Sequence, residues 1–136
     1  MLEVKFYEQV DDKLLKFAVI LSRTQGKWVF CKHRERTTYE IPGGHREPGE
    51  TIRETAEREL KEETGAVEFD MKTVGVYSVK TEENETFGML FAAEIFLFED
   101  IHSEIESILI TDDLVEQWTY PLIQPKLLEE ASRRGF

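Results

Sequence analysis

The stretch RELKEETG, residues 58–65, carries Glu59, Glu62 and Glu63 at i, i+3 and i+4 of a segment with helical periodicity. Thr51 with Glu54 forms a capping-box pair, Pro48-Gly49 enforces a turn just upstream, and Gly65 suits a helix terminator, so a helix is predicted over 51–64. At roughly 100° per residue, Glu59 and Glu63 fall on the side of Ile52, Ala56 and Leu60. The other side collects Arg53, Glu54, Glu57, Arg58 and Lys61, where Glu54 with Arg58 and Glu57 with Lys61 are spaced as favourable i, i+4 pairs. That face reads as solvent surface. The acids on the apolar face need another explanation.

Two carboxylates at i, i+4 repel by only a few tenths of a kcal/mol in water, and partial burial raises that cost. A cation between them removes the conflict. With oxygen donors alone nearby, the spacing favours a hard ion, Mg²⁺, Mn²⁺ or Ca²⁺, over zinc. Just before the helix, IPGGHREPGE places Gly43 and Gly44 where the backbone can approach a ligand without a Cβ in the way.

The whole chain is acidic, with 17 Lys plus Arg against 28 Asp plus Glu and a net charge of −11. That sign excludes the usual means of holding long nucleic acid. A small phosphate-bearing ligand remains compatible if a cation or a local basic patch reverses the field. CKHRER supplies such a patch in Lys32, His33, Arg34 and Arg36. Phosphate contact is its functional reading, and a basic loop tip pairing with surface acids is its bland one.

The elements that position these residues follow from the apolar runs. LLKFAVILS and KWVFCKH, joined by RTQGK, predict an antiparallel hairpin. TVGVYSV and FGMLFAAEIFLF, joined by KTEENET, predict a second pair, the latter strand apolar on both faces and central in the sheet. ESILI predicts a short strand, TDDLVEQW a capped helical turn or two, and QPKLLEEASRRG a terminal helix with Leu127, Leu128 and Ala131 inward. The longest unassigned loop, Arg34 to Gly49, leads into the glutamate helix. One domain over 1–136 is expected, of class α/β or α+β, a mixed sheet with helices on both faces.

One cysteine, Cys31, sits in an apolar strand and suits a reducing, cytoplasmic setting. The N-terminus lacks a basic start followed by an apolar stretch, and GMLFAAEIFLF is too short to span a bilayer, so a soluble protein away from membranes is expected.

From Gly44 to Ala66 the sequence reads GHREPGETIRETAERELKEETGA and resembles the Nudix box: Gly44, Glu50, Arg58, Glu59, Leu60, Glu62, Glu63 and Gly65 all fall on its pattern. Ala66 is smaller than the usual aliphatic there. The resemblance implies an α/β/α sandwich with a central mixed sheet, the box helix on one side and the C-terminal helix on the other. It implies hydrolysis of a nucleoside diphosphate linked to another moiety, with Mg²⁺ as cofactor and Mn²⁺ able to substitute. By position, Glu59, Glu62 and Glu63 resemble metal ligands, the Gly44 region a backbone carbonyl donor, Arg58 a residue that orients a carboxylate, and Glu50 an accessory ligand or structural acid.

The general base in such proteins is a box glutamate or an acid from a later loop. Glu62 or Glu63 is favoured here, with Glu104, Glu106, Glu83 and Glu85 as distal candidates. Gly43, Lys32, Arg34 and Arg36 are the candidate substrate contacts, and Phe6, Tyr7, Tyr39 and Tyr77 the aromatic residues available to stack a base. YEIPGGHREPGE and PLIQPKLLEE resemble members that sanitise oxidised purine triphosphates, which implies a nucleoside triphosphate converted to monophosphate plus pyrophosphate. Nucleotide sugars, dinucleotide polyphosphates and capped RNA stay open as substrates, and a homodimer stays open as the assembly. Three further readings compete: a non-catalytic nucleotide sensor, which commonly lacks box acids; a purely structural metal site, which would not require the Gly-Gly turn or Arg58; and an isoprenoid diphosphate isomerase, for which Cys31 is the sole candidate thiol.

Overall fold

The computed structural model describes residues 2–101 and 105–136. Its first hairpin forms where the apolar runs meet the turn: β2 (Leu15–Thr24) and β3 (Lys27–His33) pair antiparallel, with Gln25 and Gly26 at φ 51° and 78°. Two consecutive positive φ values are what a two-residue hairpin turn requires. The remaining elements are β1 (Glu3–Tyr7), a 3₁₀ turn at Asp12–Leu14, β4 (Gly43–His45), α1 (Ile52–Thr64), β5 (Ala66–Lys80), β6 (Glu85–Phe98), β7 (Ile105–Thr111) and α2 (Gln124–Arg133).

Six strands run in the order β1-β5-β6-β2-β3-β7, and β4 pairs with β2 off that path. The β2–β6 pair is parallel and the other pairs are antiparallel, which makes the sheet mixed. Each face carries its own apolar cluster. Ile52, Ala56 and Leu60 of α1 pack with Ala18, Ile20, Val29, Phe91 and Ile95, while Leu127, Leu128 and Ala131 of α2 pack with Val19, Leu21, Phe30 and Leu90. Alternation along β2 sends successive residues to opposite helices, giving the expected α/β/α sandwich. Among the described residues, no helix is long and apolar enough to cross a membrane.

Three expectations need correction. The segment 111–118 is not helical: Tyr39 N donates to Gln117 O and Thr119 N donates to Tyr39 O, both at 2.9 Å, so its backbone is spent on pairing with Tyr39. Trp118 then sits edge-on to Phe30, with ring centres 5.4 Å apart. The second strand pair is longer than TVGVYSV suggested, since β5 starts at Ala66, directly after the α1 terminator. Arg58 does not pair with Glu54 on the solvent face, because Glu54 bonds Thr51 N in the capping box while Arg58 turns inward to other acids.

Candidate active site

Helix α1 begins and ends as its sequence dictates. Thr51 and Glu54 exchange both capping-box hydrogen bonds, and Gly65 takes the left-handed conformation, φ 78°, with its N–H on Lys61 O. The fixed ends set the rotation of the helix, and that rotation decides which glutamates face inward. Glu63 is buried at 6%, the Glu59 side chain is 13% exposed and that of Glu62 is 52% exposed.

Each inward acid meets the Gly43-Gly44 strand. Glu63 Oε1 accepts from Gly43 N at 2.7 Å, and the Glu59 carboxylate lies against Gly44 Cα so closely that a Cβ there would overlap it. β4 is held in that place by pairing with Phe17–Val19 of β2. Gly44→Ala should therefore displace Glu59 and cost activity at least about tenfold with little change in thermal midpoint, a difference read by comparing turnover with a melting curve.

Arg58 is the hub of the helix start. Its Nε and Nη2 donate to Glu50 Oε2 and Oε1 at 2.6 and 3.1 Å, Nη1 donates to Glu59 Oε1 at 2.6 Å, and Nη2 also reaches His45 O at 3.0 Å. Glu62 Oε2 is 3.4 Å from Nη1. The guanidinium holds the Glu50 carboxyl down at about 2, helped by Glu47 N and Thr55 Oγ1. Both Glu50 oxygens are thus engaged by Arg58, Glu47 and Thr55.

Glu59 behaves oppositely. Burial pushes its carboxyl up to about 7, with the neighbouring Glu62 adding to the rise against the pull of Arg58. Crowded acids, a glycine cradle and oxygen donors fit a hard divalent ion at Glu59, Glu62 and Glu63. The sign of the linkage follows. Protons would compete with such an ion for Glu59, so divalent-ion affinity should fall by up to about tenfold per pH unit below about 7 and level off above it. Titration calorimetry across that range checks this, and Glu59→Gln should flatten the dependence.

Gly43, Gly44, Arg58, Glu59 and Glu63 line a cavity of about 590 Å³, together with His33, Arg36, Glu40, His45 and Glu47, whereas Glu50 and Glu62 do not. Phe17, Tyr77, Val79, Tyr120, Ile123, Gln124 and Leu127 also line it, with the Phe17 ring centre 4.4 Å from that of His45. A lining that combines charged groups with apolar and aromatic ones suits a nucleotide in its chemistry. Gln124 is fixed by its Oε1 accepting from Ile41 N at 2.7 Å.

Of the basic patch, His33 and Arg36 line the cavity, whereas Lys32 and Arg34 do not. Arg36 donates to Glu40 Oε2 at 3.1 Å and lies 5.7 Å from the Tyr120 ring centre. Tyr77 is the one of the four candidate aromatic residues on the lining. Among the distal acids, Glu104 lies outside the described residues. Glu106 belongs to β7 and its side chain lies outside them as well. Glu85 is engaged by Ser78 and Tyr7, which hold its carboxyl low, and Glu83 is an exposed loop residue. Neither lines the cavity. Cys31 is fully buried and is also absent from the lining, with Sγ 3.5 Å from Glu40 O.

Glu40, Phe17, Ile123 and Gln124 were not picked out by sequence. Glu40 owes its place to an isolated antiparallel bridge with Cys31, too short to leave a periodic signal.

A glutamate helix braced by Arg58 and set against a Gly-Gly strand in an α/β/α sandwich defines a class, and the chain belongs to it: the NUDIX domain family model matches residues 12–134. The chain is 37% identical over 93 residues to YtkD of Bacillus subtilis (strain 168), provisionally named an 8-oxo-dGTP diphosphatase. That match covers 68% of this chain and 58% of the relative's length. A mutant of the Bacillus subtilis pyrophosphohydrolase BsRppH superposes with a TM-score of 0.81 at 27% identity, covering 99% of this chain and 92% of that one. The NUDIX domain of Shewanella oneidensis NrtR, complexed with ADP ribose, shares the fold at a TM-score of 0.70 and 15% identity over 92% and 93% of the two chains.

Proposed function

We propose that this protein is a divalent-metal-dependent pyrophosphohydrolase, acting with Mg²⁺ on a nucleoside triphosphate, of the oxidised purine kind, to give the monophosphate and pyrophosphate. The carrying observation is the shared cavity, which the box acids Glu59 and Glu63 line together with Phe17, Tyr77, Ile123 and Leu127. The provisional diphosphatase name of YtkD and the pyrophosphohydrolase BsRppH support it.

A bound divalent ion supplies charge neutralisation for the phosphates and a more acidic water. Glu59, Glu62 and Glu63 would hold it, with the Gly44 carbonyl as a further donor. Gly43 N fixes Glu63, Arg58 fixes Glu59, and Glu50 acts as the structural acid that fixes Arg58. Glu62 or Glu63 would take a proton from an attacking water: Glu63 lines the cavity, and Glu62, the most exposed of the three and off that lining, lies 3.4 Å from Arg58 Nη1. Arg36 reaches a phosphate from the cavity wall. All of the box acids are retained, which separates this reading from the sensor, and the absence of Cys31 from the cavity lining separates it from the isomerase.

Ranking kcat/KM over canonical and oxidised nucleoside triphosphates, nucleotide sugars and dinucleotide polyphosphates tests the substrate class. An oxidised purine triphosphate should lead, and a nucleotide sugar in first place would overturn that choice. Arg36→Ala should raise KM by about tenfold, while Arg34→Ala, off the lining, should leave it unchanged. Equal effects would remove Arg36 from the phosphate site.

A further inference from the structure

Two polar side chains in the cavity wall hold atoms that the protein itself does not pair. Gln124, 6% exposed, is the first residue of α2, and its Oε1 accepts from Ile41 N at 2.7 Å. A main-chain N–H can only donate, so this bond fixes the amide with its oxygen on Ile41 and its NH₂ turned the other way. Tyr77, 5% exposed, lies over Gly88 of the paired strand, where an added Cβ would stand 2.7 Å from Cε1, Cζ and Oη of the phenol. Burial alone pushes the Tyr77 hydroxyl up, with no hydrogen bond or charge acting on it.

Among the described residues, Gln124 Nε2 and Tyr77 Oη make no hydrogen bond, and no side-chain polar atom sealed from solvent lacks a partner. Both atoms therefore reach open space, and the space these two side chains line is the cavity. Their surroundings are apolar. Tyr77 and Val79 share a strand face, Ile123 and Leu127 flank Gln124, and these four residues belong to one hydrophobic cluster on the lining. A few polar groups set in an apolar wall orient a ligand that pairs with them.

We propose that Gln124 and Tyr77 read the base of the nucleotide, Gln124 Nε2 donating to a ring carbonyl, so that the cavity takes a 6-oxo purine in preference to a 6-amino purine. This rests on the proposed function in taking a nucleotide as the occupant, and goes beyond it in assigning the residues that choose the base. The locked amide offers hydrogens only. A carbonyl at position 6 accepts one, whereas an amino group there sets donor against donor and leaves both unpaired. Tyr77 imposes no such rule, because its hydroxyl rotates to donate or to accept. It can serve N7 of an ordinary purine or the N7–H of an 8-oxo purine. The pair thus discriminates at position 6 and tolerates oxidation at position 8.

Calorimetric binding of the α,β-methylene triphosphates of inosine and adenosine, with Mg²⁺, tests this. The proposed cleavage cannot split the methylene bridge, so affinity is read apart from turnover. The inosine analogue should bind roughly 10–100-fold more tightly to the parent protein. Gln124→Glu, ionised at about pH 8, keeps an oxygen for Ile41 N and changes the other arm from donor to acceptor, so the order should reverse. Both ligands carry the same triphosphate, and charge repulsion cancels in the ratio. Tyr77→Phe should weaken both by one common factor of about 2–10 and leave the ratio as it was.

Equal affinities in the parent protein, or no binding of either analogue, overturn the inference without the need for any variant to fold. A preference left unchanged in Gln124→Glu, shown folded by its melting curve, overturns the role of Gln124, and unchanged affinities in Tyr77→Phe remove Tyr77 from the site. An inosine preference in a protein that cleaves no nucleoside triphosphate overturns the proposed function and leaves this inference standing.

Discussion

Glu63→Gln should lower kcat/KM by about 10²–10⁴-fold and leave the thermal midpoint of the metal-free protein equal or higher. The two effects diverge because of where Glu63 sits. Its Oε1 accepts from Gly43 N, a bond the glutamine carbonyl keeps, and its other oxygen faces His33 beside the buried Glu40. A glutamine amide placed there donates to Glu40, which relieves repulsion between two buried carboxylates. The fold therefore gains or is unchanged while the site loses a charge that a divalent ion requires. A purely structural Glu63 would show the reverse: a lower midpoint and intact turnover of any nucleotide the protein cleaves.

Arg58→Ala should be costly in both respects. The guanidinium serves Glu50, Glu59 and His45 O together, and removal leaves these acceptors without it. Breaking a fully buried pair costs about 3–5 kcal/mol; with side chains 13–23% exposed here, about 2–3 kcal/mol is expected. That corresponds to a midpoint lower by about 5–15 °C. Turnover should fall with it, since Glu59 loses the contact that fixes one oxygen. Arg58→Lys should recover only part, because an ammonium cannot span three acceptors with planar geometry. A lysine variant equal to the parent would contradict the role given to Arg58.

The acid limb of stability carries the same signature. Glu50 is held at about 2 against an ordinary value of 4.5, so its contribution is present above about 4.5 and is lost as pH falls toward 2. In Arg58→Ala that part of the pH dependence should disappear.

The helix was legible because its signals are local. Thr51, Glu54 and Gly65 mark its ends within a few residues, and the 3.6-residue period alone puts Glu59 and Glu63 on the side of Ile52 and Leu60. The β2–β3 hairpin and α2 were legible for the same reason. β1 and the first half of β5 were not. Register shifts between Ala66 and Glu68 and between Glu68 and Phe69 break the alternation that marks a strand, and Glu68, Asp70 and Lys72 give the segment a polar look. β1 is an edge strand that exists through its pairing with β5.

The site divides along the same line. The box acids and Arg58 lie within one helix and could be read as a unit. The cavity is assembled from Phe17, Glu40, Tyr77 and Gln124, residues that four different segments bring together, and no local pattern announces such a meeting. Arg36 and Tyr120 meet across the fold, so that of the four basic candidates only the structure distinguishes those on the lining from those off it.

The central claim is metal-dependent cleavage between the α- and β-phosphates, and the most direct measurement is product analysis. The parent protein is incubated with a nucleoside triphosphate panel containing oxidised purines, with Mg²⁺ or with chelator, and released pyrophosphate and orthophosphate are separated. Pyrophosphate and monophosphate in equal amounts, dependent on Mg²⁺ and lost in Glu63→Gln, is the result expected. Tight nucleotide binding with no product at any metal concentration would contradict it and identify the cavity as a sensor.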